Sequence, residues 1–198
     1  GSFSVMDGVS VNGLARIDVN GDLVDTFTNP GFSANSINVL KLASDGDVLV
    51  GGNFANIGGV AENDYLVKMS VDGVIDTNYQ PMPNSIVQDI LVLDDGSHVV
   101  VGSFSSIDST SRYYIAKLDA TGDLDTDFTI TSTSNVFDVE VDSEGRFYFG
   151  GQGAPNYDGS INYSYNYFWR TDSTGALDSA YPTGLVNSYV ERISIAPD

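Results

Sequence analysis

The sequence predicts an all-β chain: a β-propeller or propeller-like array of four-stranded antiparallel blades, on a repeat of about 51 residues. Three observations predict it. A short apolar strand closed by glycine recurs three times, a strand carrying one basic residue recurs four times, and a glycine turn followed by an aromatic accompanies each of those four. Apolar residues nowhere recur with a helical period near 3.6, so helix content should be close to nil.

The glycine-closed strand is Asp45-Gly46-Asp47-Val48-Leu49-Val50-Gly51-Gly52, followed by Asn53-Phe54. Asp95-Gly96-Ser97-His98-Val99-Val100-Val101-Gly102 repeats it, and Glu144-Gly145-Arg146-Phe147-Tyr148-Phe149-Gly150-Gly151 repeats it again. Before each copy, aliphatic residues alternate with others: Leu40 and Leu42, Ile90 and Val92, Val139 and Val141. Period-two alternation of this kind marks a strand. Ile193 and Ile195 begin the same pattern near the end of the sequence.

The basic residue lies in Leu14-Ala15-Arg16-Ile17, Leu66-Val67-Lys68-Met69, Ile115-Ala116-Lys117-Leu118 and Phe168-Trp169-Arg170-Thr171. A turn glycine follows each, at Gly21, Gly73, Gly122 and Gly175, and then an aromatic, at Phe27, Tyr79, Phe128 and Tyr181. Asn20-Gly21 and Asp72-Gly73 are hairpin-turn dipeptides, because these residues tolerate positive φ. An aromatic anchor repeated in this way is expected to pack between neighbouring sheets.

Each repeat therefore holds three clear strands and a short fourth near the aromatic. One such sheet cannot bury both of its faces, so it must stack against its neighbours. Residues 1–198 read as one propeller-like repeat domain, with three complete repeats and partial repeats at both ends. Two explanations fit the partial ends. The chain is a fragment of a longer array, or strands from both ends complete one shared blade. Neither a signal peptide nor an initiator Met opens the sequence, so it reads as a processed product or an excerpt.

These elements resemble the delta-60 repeat, a family of β-propeller repeats. Its pattern runs Ala-Arg-Leu, Asp-Gly, Leu-Asp and Phe, with a later Asp-Gly, aliphatic strand and Gly-Gly. Here Ile115-Ala116-Lys117-Leu118-Asp119 leads through Gly122 and Leu124-Asp125 to Phe128, and Asp45-Gly46 leads to Gly51-Gly52. The resemblance covers essentially the whole chain. It departs where Val101 replaces the first glycine of the stop, and where the third unit lengthens around residues 153 to 166. The family is similar to secreted or surface-exposed bacterial proteins and to tail or fibre proteins of bacterial viruses. It carries no established catalytic residues to transfer.

Composition narrows the partners. Eight Lys and Arg face 27 Asp and Glu, for a formal net charge of −19. Such a surface repels nucleic acid and anionic membrane. The acids are spread along turns, as a solvated coat would have them, with cation binding the competing reading. The chain has no cysteine, hence neither disulfides nor thiolate metal sites. It has no apolar run of the ~20 residues that insert across a bilayer as a helix.

Candidates for chemistry are few. The single histidine, His98, falls at an apolar strand position, and a base or metal site would need partners converging on it. Neither a Gly-x-Ser-x-Gly elbow nor a distinguished pair of carboxylates stands out, so an enzyme is not expected. Asp18, Asn20 and Asp22 alternate as calcium ligands do, but equivalent turns lose those ligands and Asx-turn stabilisation explains all copies. No cofactor is expected, with calcium the weak exception.

The strongest departure from the repeat spans Ala154 to Trp169, where Gly151 to Arg170 is longer than Gly52 to Lys68 or Gly102 to Lys117. The added residues bring a run of tyrosines, and the only tryptophan follows them. Tyr157, Asp158, Tyr163, Tyr165 and Trp169 are the candidate ligand-binding residues, since aromatic faces beside polar groups serve carbohydrate and protein recognition. The competing reading puts these aromatics on a strand face packed against the next blade. Trp169 stands where other units carry Ala15, Val67 and Ala116, so it either fills a gap or forms a platform.

The expected function is a non-catalytic module for adhesion or attachment to a glycan or protein partner. Its setting would be extracellular, on a bacterial surface or a virion. A structural scaffold or assembly component, with self-assembly, is the alternative, and a glycan-active enzyme is third.

Overall fold

The computed structural model describes residues 1, 3–33, 36–156, 167–178, 180–181 and 186–196. Its strands in chain order begin with β1 (Val5–Met6), β2 (Val9–Ser10), β3 (Ile37–Leu42), β4 (Val48–Gly52) and β5 (Leu66–Met69). They continue with β6 (Val87–Val92), β7 (His98–Gly102), β8 (Ser106–Ile107), β9 (Thr110–Ser111) and β10 (Ile115–Leu118). The last are β11 (Thr131–Ser132), β12 (Val136–Val141), β13 (Phe147–Gly151), β14 (Pro155–Asn156) and β15 (Phe168–Arg170). The described helical structure is one 3₁₀ turn, Ile57–Gly59.

Three small antiparallel sheets repeat one topology: β3-β4-β5, β6-β7-β10 and β12-β13-β15. Each is built from the three phases visible in the sequence, with the alternating strand at one edge, the glycine-closed strand central, and the basic strand beyond it. In place of a full fourth strand, each unit makes a single antiparallel bridge across the outer turn: Ile17 to Leu23, Met69 to Ile75, Leu118 to Leu124 and Thr171 to Leu177. Of the two-stranded ribbons, β1-β2 precedes the first sheet and β8-β9 falls between β7 and β10, while β11 pairs with β14, which falls between β13 and β15.

The core lies between successive sheets, as sheets with two apolar faces require. Leu49 and Leu66 of one sheet meet Ile90, Val100 and Ala116 of the next. The far face of that sheet, with Val99, Val101 and Ile115, meets Val139, Phe149 and Trp169. On the other side of the first sheet, Val50, Val67 and Met69 pack on Leu14, Phe32 and Phe54.

Two glycine positions follow from close approach. A Cβ at Gly52, Gly102 or Gly151 would stand 2.0, 2.1 or 2.3 Å from the carbonyl oxygen of Ser36, Ile86 or Asn135. Backbone cannot yield, so only glycine closes this strand. The preceding position is freer. A Cβ at Gly51 would meet only side chains, and the equivalent Val101 is itself wholly buried.

The outer-turn glycines carry two demands. Gly73, Gly122 and Gly175 have φ of 92, 94 and 86°. Their missing Cβ also leaves room for the aromatic of the preceding unit: Phe27 against Gly73, Tyr79 against Gly122, and Phe128 against Gly175, at 3.2, 2.9 and 2.8 Å. The aromatic anchor thus joins one unit to the next. The repeated basic residue is likewise structural in each copy. Arg16 pairs with Asp72, Lys68 with Asp45, Lys117 with Asp125 and Arg170 with Asp178.

Candidate functional site

The residues singled out by the sequence separate on inspection. Tyr157, Asp158, Tyr163 and Tyr165 lie outside the described residues. Trp169 is wholly buried, which corrects its place among ligand-binding candidates. Its ring stacks on Phe149, with centroids 5.6 Å apart and planes at 22°. It sits on the face of β15 that is sandwiched between sheets, so its bulk fills the gap beside Ile115 and Phe128. Its indole Nε1 has no hydrogen-bond partner among the described residues.

The Asp18 turn is an Asx turn. The backbone N–H groups of Asn20 and Asp22 donate to the same carboxylate oxygen, Asp18 Oδ1, at 2.8 and 3.0 Å, and Asn20 Nδ2 donates to Oδ2. Those bonds hold the Asp18 carboxyl below the usual carboxylate range, led by the N–H of Asp22. Asp119 and Asp172 make the same pair of backbone bonds in their turns. Among the described residues, no three His, Cys, Asp or Glu converge to hold a metal ion.

His98 is buried in β7, with Nε2 2.6 Å from the Tyr79 hydroxyl. Burial pushes the imidazole down to about 4, and the Gly96 carbonyl offsets only part of this. The neutral ring shares this bond with the Tyr79 hydroxyl, which burial pushes well above its ordinary range. Both groups sit on an inter-sheet contact and do not face a cavity.

A different set of residues does. Each edge strand, β3, β6 and β12, has a register irregularity after its first paired residue: between Ile37 and Val39, Val87 and Asp89, and Val136 and Asp138. A bulge places an extra residue out of the ladder and re-aims its side chain. Those residues are Asn38, Gln88 and Phe137. All three line one cavity of about 450 Å³, together with Ile37, Glu191 and Arg192. Glu191 stands at the same repeat position, since Arg192 and Ile193 follow it as Asp138 and Val139 follow Phe137.

The cavity wall is held by bonds that run between units. Asn38 Nδ2 donates to the Val87 carbonyl at 3.0 Å and to Gln88 Oε1 at 3.2 Å. One residue along, the Val139 N–H donates to Asp89 Oδ2 at 3.3 Å. In the next unit, the Ile193 N–H donates to Asp138 Oδ2 at 2.5 Å, while Arg192 Nη1 reaches Asp138 Oδ1 at 3.1 Å. Burial raises the Asp89 carboxyl to about 6, although Lys41, 3.9 Å away, draws it down and the Val139 N–H helps. The lining also includes Phe137, whose ring meets Tyr189 at 6.3 Å and nearly perpendicular.

Sequence reasoning missed this set. A bulge leaves the aliphatic alternation of its strand legible and shows no break, so nothing in the pattern set Asn38, Gln88 and Phe137 apart. One signal was present. At a single repeat position, flanked by repeated aliphatics, the chain carries Asn, Gln, Phe and Glu in turn.

Comparison with known proteins agrees on the fold. Residues 93–128 match a domain of unknown function described as a beta-propeller, DUF5122. This match, shorter than one repeat, supports a β-propeller repeat. No curated protein matches the chain. A crystal structure of a protein of unknown function from Bacteroides caccae is similar, with a TM-score of 0.50 and 12% identity. The likeness covers 82% of this chain and 56% of that one, so this chain spans little more than half its length.

Proposed function

We propose that this chain is a non-catalytic recognition module, a propeller of delta-60-type blades that attaches an extracellular surface, bacterial or viral, to a glycan or protein partner. One observation carries the reading. Three edge strands bulge at the same residue and turn three chemically different side chains, an amide, a longer amide and an aromatic ring, into one cavity. Repeated positions that hold the array together carry the same residue types from unit to unit, as the glycine stops and ion-paired bases do. A position that varies freely inside a fixed frame is where an array presents specificity.

The bonds from Asn38, Asp89 and Asp138 would also serve a scaffold. They account for rigidity, but not for the cavity they frame. The acidic surface fits the same reading, because it keeps nucleic acid and anionic membranes away from the module. The test is binding of the purified chain to a glycan array and to whole bacterial cells. Saturable binding to either supports attachment. Binding to neither, by a chain shown to be folded, leaves the scaffold.

A further inference from the structure

We infer that the cavity framed by Asn38, Gln88 and Phe137 is a subsite for one uncharged, hydroxyl-rich ring, a single pyranose unit, with Gln88 as the residue that orients it. The inference deepens the recognition reading above and rests on it.

Hydrogen bonding inside the wall decides which polar atoms remain for a ligand. Asn38 has two N–H groups, and its two acceptors are the Val87 carbonyl and Gln88 Oε1. What Asn38 still offers is its carbonyl oxygen, an acceptor. Gln88 is the converse. Its oxygen is engaged by Asn38, which fixes the amide plane and leaves the two N–H groups of Nε2 as donors. A fixed acceptor therefore stands beside a fixed pair of donors. A hydroxyl is both donor and acceptor, so neighbouring hydroxyls on one ring satisfy such a pair together.

Charge argues for a neutral ligand. Arg192 is the cation among the lining residues, and Asp138 holds its guanidinium. Glu191 then remains as one exposed carboxylate, and the whole chain is strongly acidic. An anionic ligand would meet one cation, already paired with the Asp138 carboxylate, and would be repelled by Glu191. Glu191 instead supplies a second acceptor.

Shape argues for a ring. Phe137 is re-aimed by its bulge and braced by Tyr189, which gives the cavity lining one flat apolar ring in addition to the amides. The C–H face of a pyranose covers such a ring while its hydroxyls reach the amides. A volume of about 450 Å³ falls within the range of small-molecule sites.

The test uses methyl glycosides of glucose, galactose, mannose and N-acetylglucosamine as probes, in saturation-transfer NMR on the whole chain. At least one probe should take saturation from the protein. Phe137→Ala and Gln88→Leu should each weaken that probe at least about tenfold, a change of about 1.4 kcal/mol. Both side chains are partly exposed, so melting should be little altered, and thermal unfolding of each variant verifies this. Asn38→Asp supplies a third variant, since it leaves an acceptor but removes the bond that fixes Gln88. It should weaken the probe too.

A probe that binds equally to wild type, Phe137→Ala and Gln88→Leu overturns the subsite. So does the absence of any bound probe when the glycan array or cell assay still shows attachment, and in that case the recognition reading survives alone. Absence of binding in every assay overturns both.

Discussion

The carboxylate of Asp89 accepts the backbone N–H of Val139 across the boundary between two units, at 3.3 Å. Asp138 does the same for Ile193 in the next unit, whereas the first unit has Val39 at this position and uses the Asn38 side chain instead. Edge strands that run side by side without a shared ladder are joined here by single polar side chains. The bond has a cost. A buried carboxylate is disfavoured in its charged form unless enough donors meet it.

That cost predicts a pH signature. The Asp89 carboxyl is raised to about 6, so the folded state binds its proton more tightly than the unfolded chain does. Its contribution is fully present below about pH 4 and is lost as pH rises through about 6. His98 is lowered to about 4, so its contribution runs the other way, growing as pH rises from about 4 to its ordinary 6.5. The two oppose each other between about pH 4 and 6. Relative to wild type, Asp89→Asn should therefore gain stability with rising pH over that window. His98→Val should lose it. Urea unfolding at several pH values reads both slopes, and parallel curves for wild type and variants would exclude the effect.

Trp169→Ala should cost roughly 3–5 kcal/mol, the range for emptying a core aromatic site. The ring is wholly buried and stacked on Phe149, so truncation empties a space inside the core. Tyr189→Ala offers the contrast. That side chain is half exposed, so equilibrium unfolding should register a change below about 1 kcal/mol.

Gly102→Ala should destabilise by about 1–3 kcal/mol or more, because the new methyl would overlap the Ile86 carbonyl oxygen. Gly51→Ala meets only valine side chains, so it should be tolerated better. Thermal melts of the two variants decide this. Equal losses would mean that the close backbone approach is not what requires the final glycine.

Leu40 and Ile90 occupy one repeat position with different burial, 46% and 0% exposed. Ile90→Ala should cost about 2–5 kcal/mol. Leu40→Ala should cost under about 1 kcal/mol, since most of its surface already meets water. The comparison isolates what stacking against a preceding sheet contributes to a residue of nearly constant chemistry.

Much of this fold is written locally, and local features survive in a sequence. Gly52, Gly102 and Gly151 recur because a carbonyl oxygen stands where a side chain would be. Gly73, Gly122 and Gly175 recur because positive φ and a neighbouring aromatic both exclude a Cβ. Alternation in Leu40-Lys41-Leu42 and Val139-Glu140-Val141 marks strands, and the period of the whole pattern marks an array. These determined the class, the strand phases and the stacking of units.

The direction of individual side chains was decided by tertiary structure. Alternation separates two faces of a strand but does not say which face a neighbouring sheet will cover, so Trp169 read equally as platform and as filling until its face was seen against Phe149 and Ile115. The bulges at Asn38, Gln88 and Phe137 were hidden for a related reason. A bulge adds one residue to a strand without disturbing the aliphatic pattern that follows, and its effect is only to turn that residue out of the ladder. Where three such residues converge depends on how three sheets are set beside one another, which no single repeat encodes.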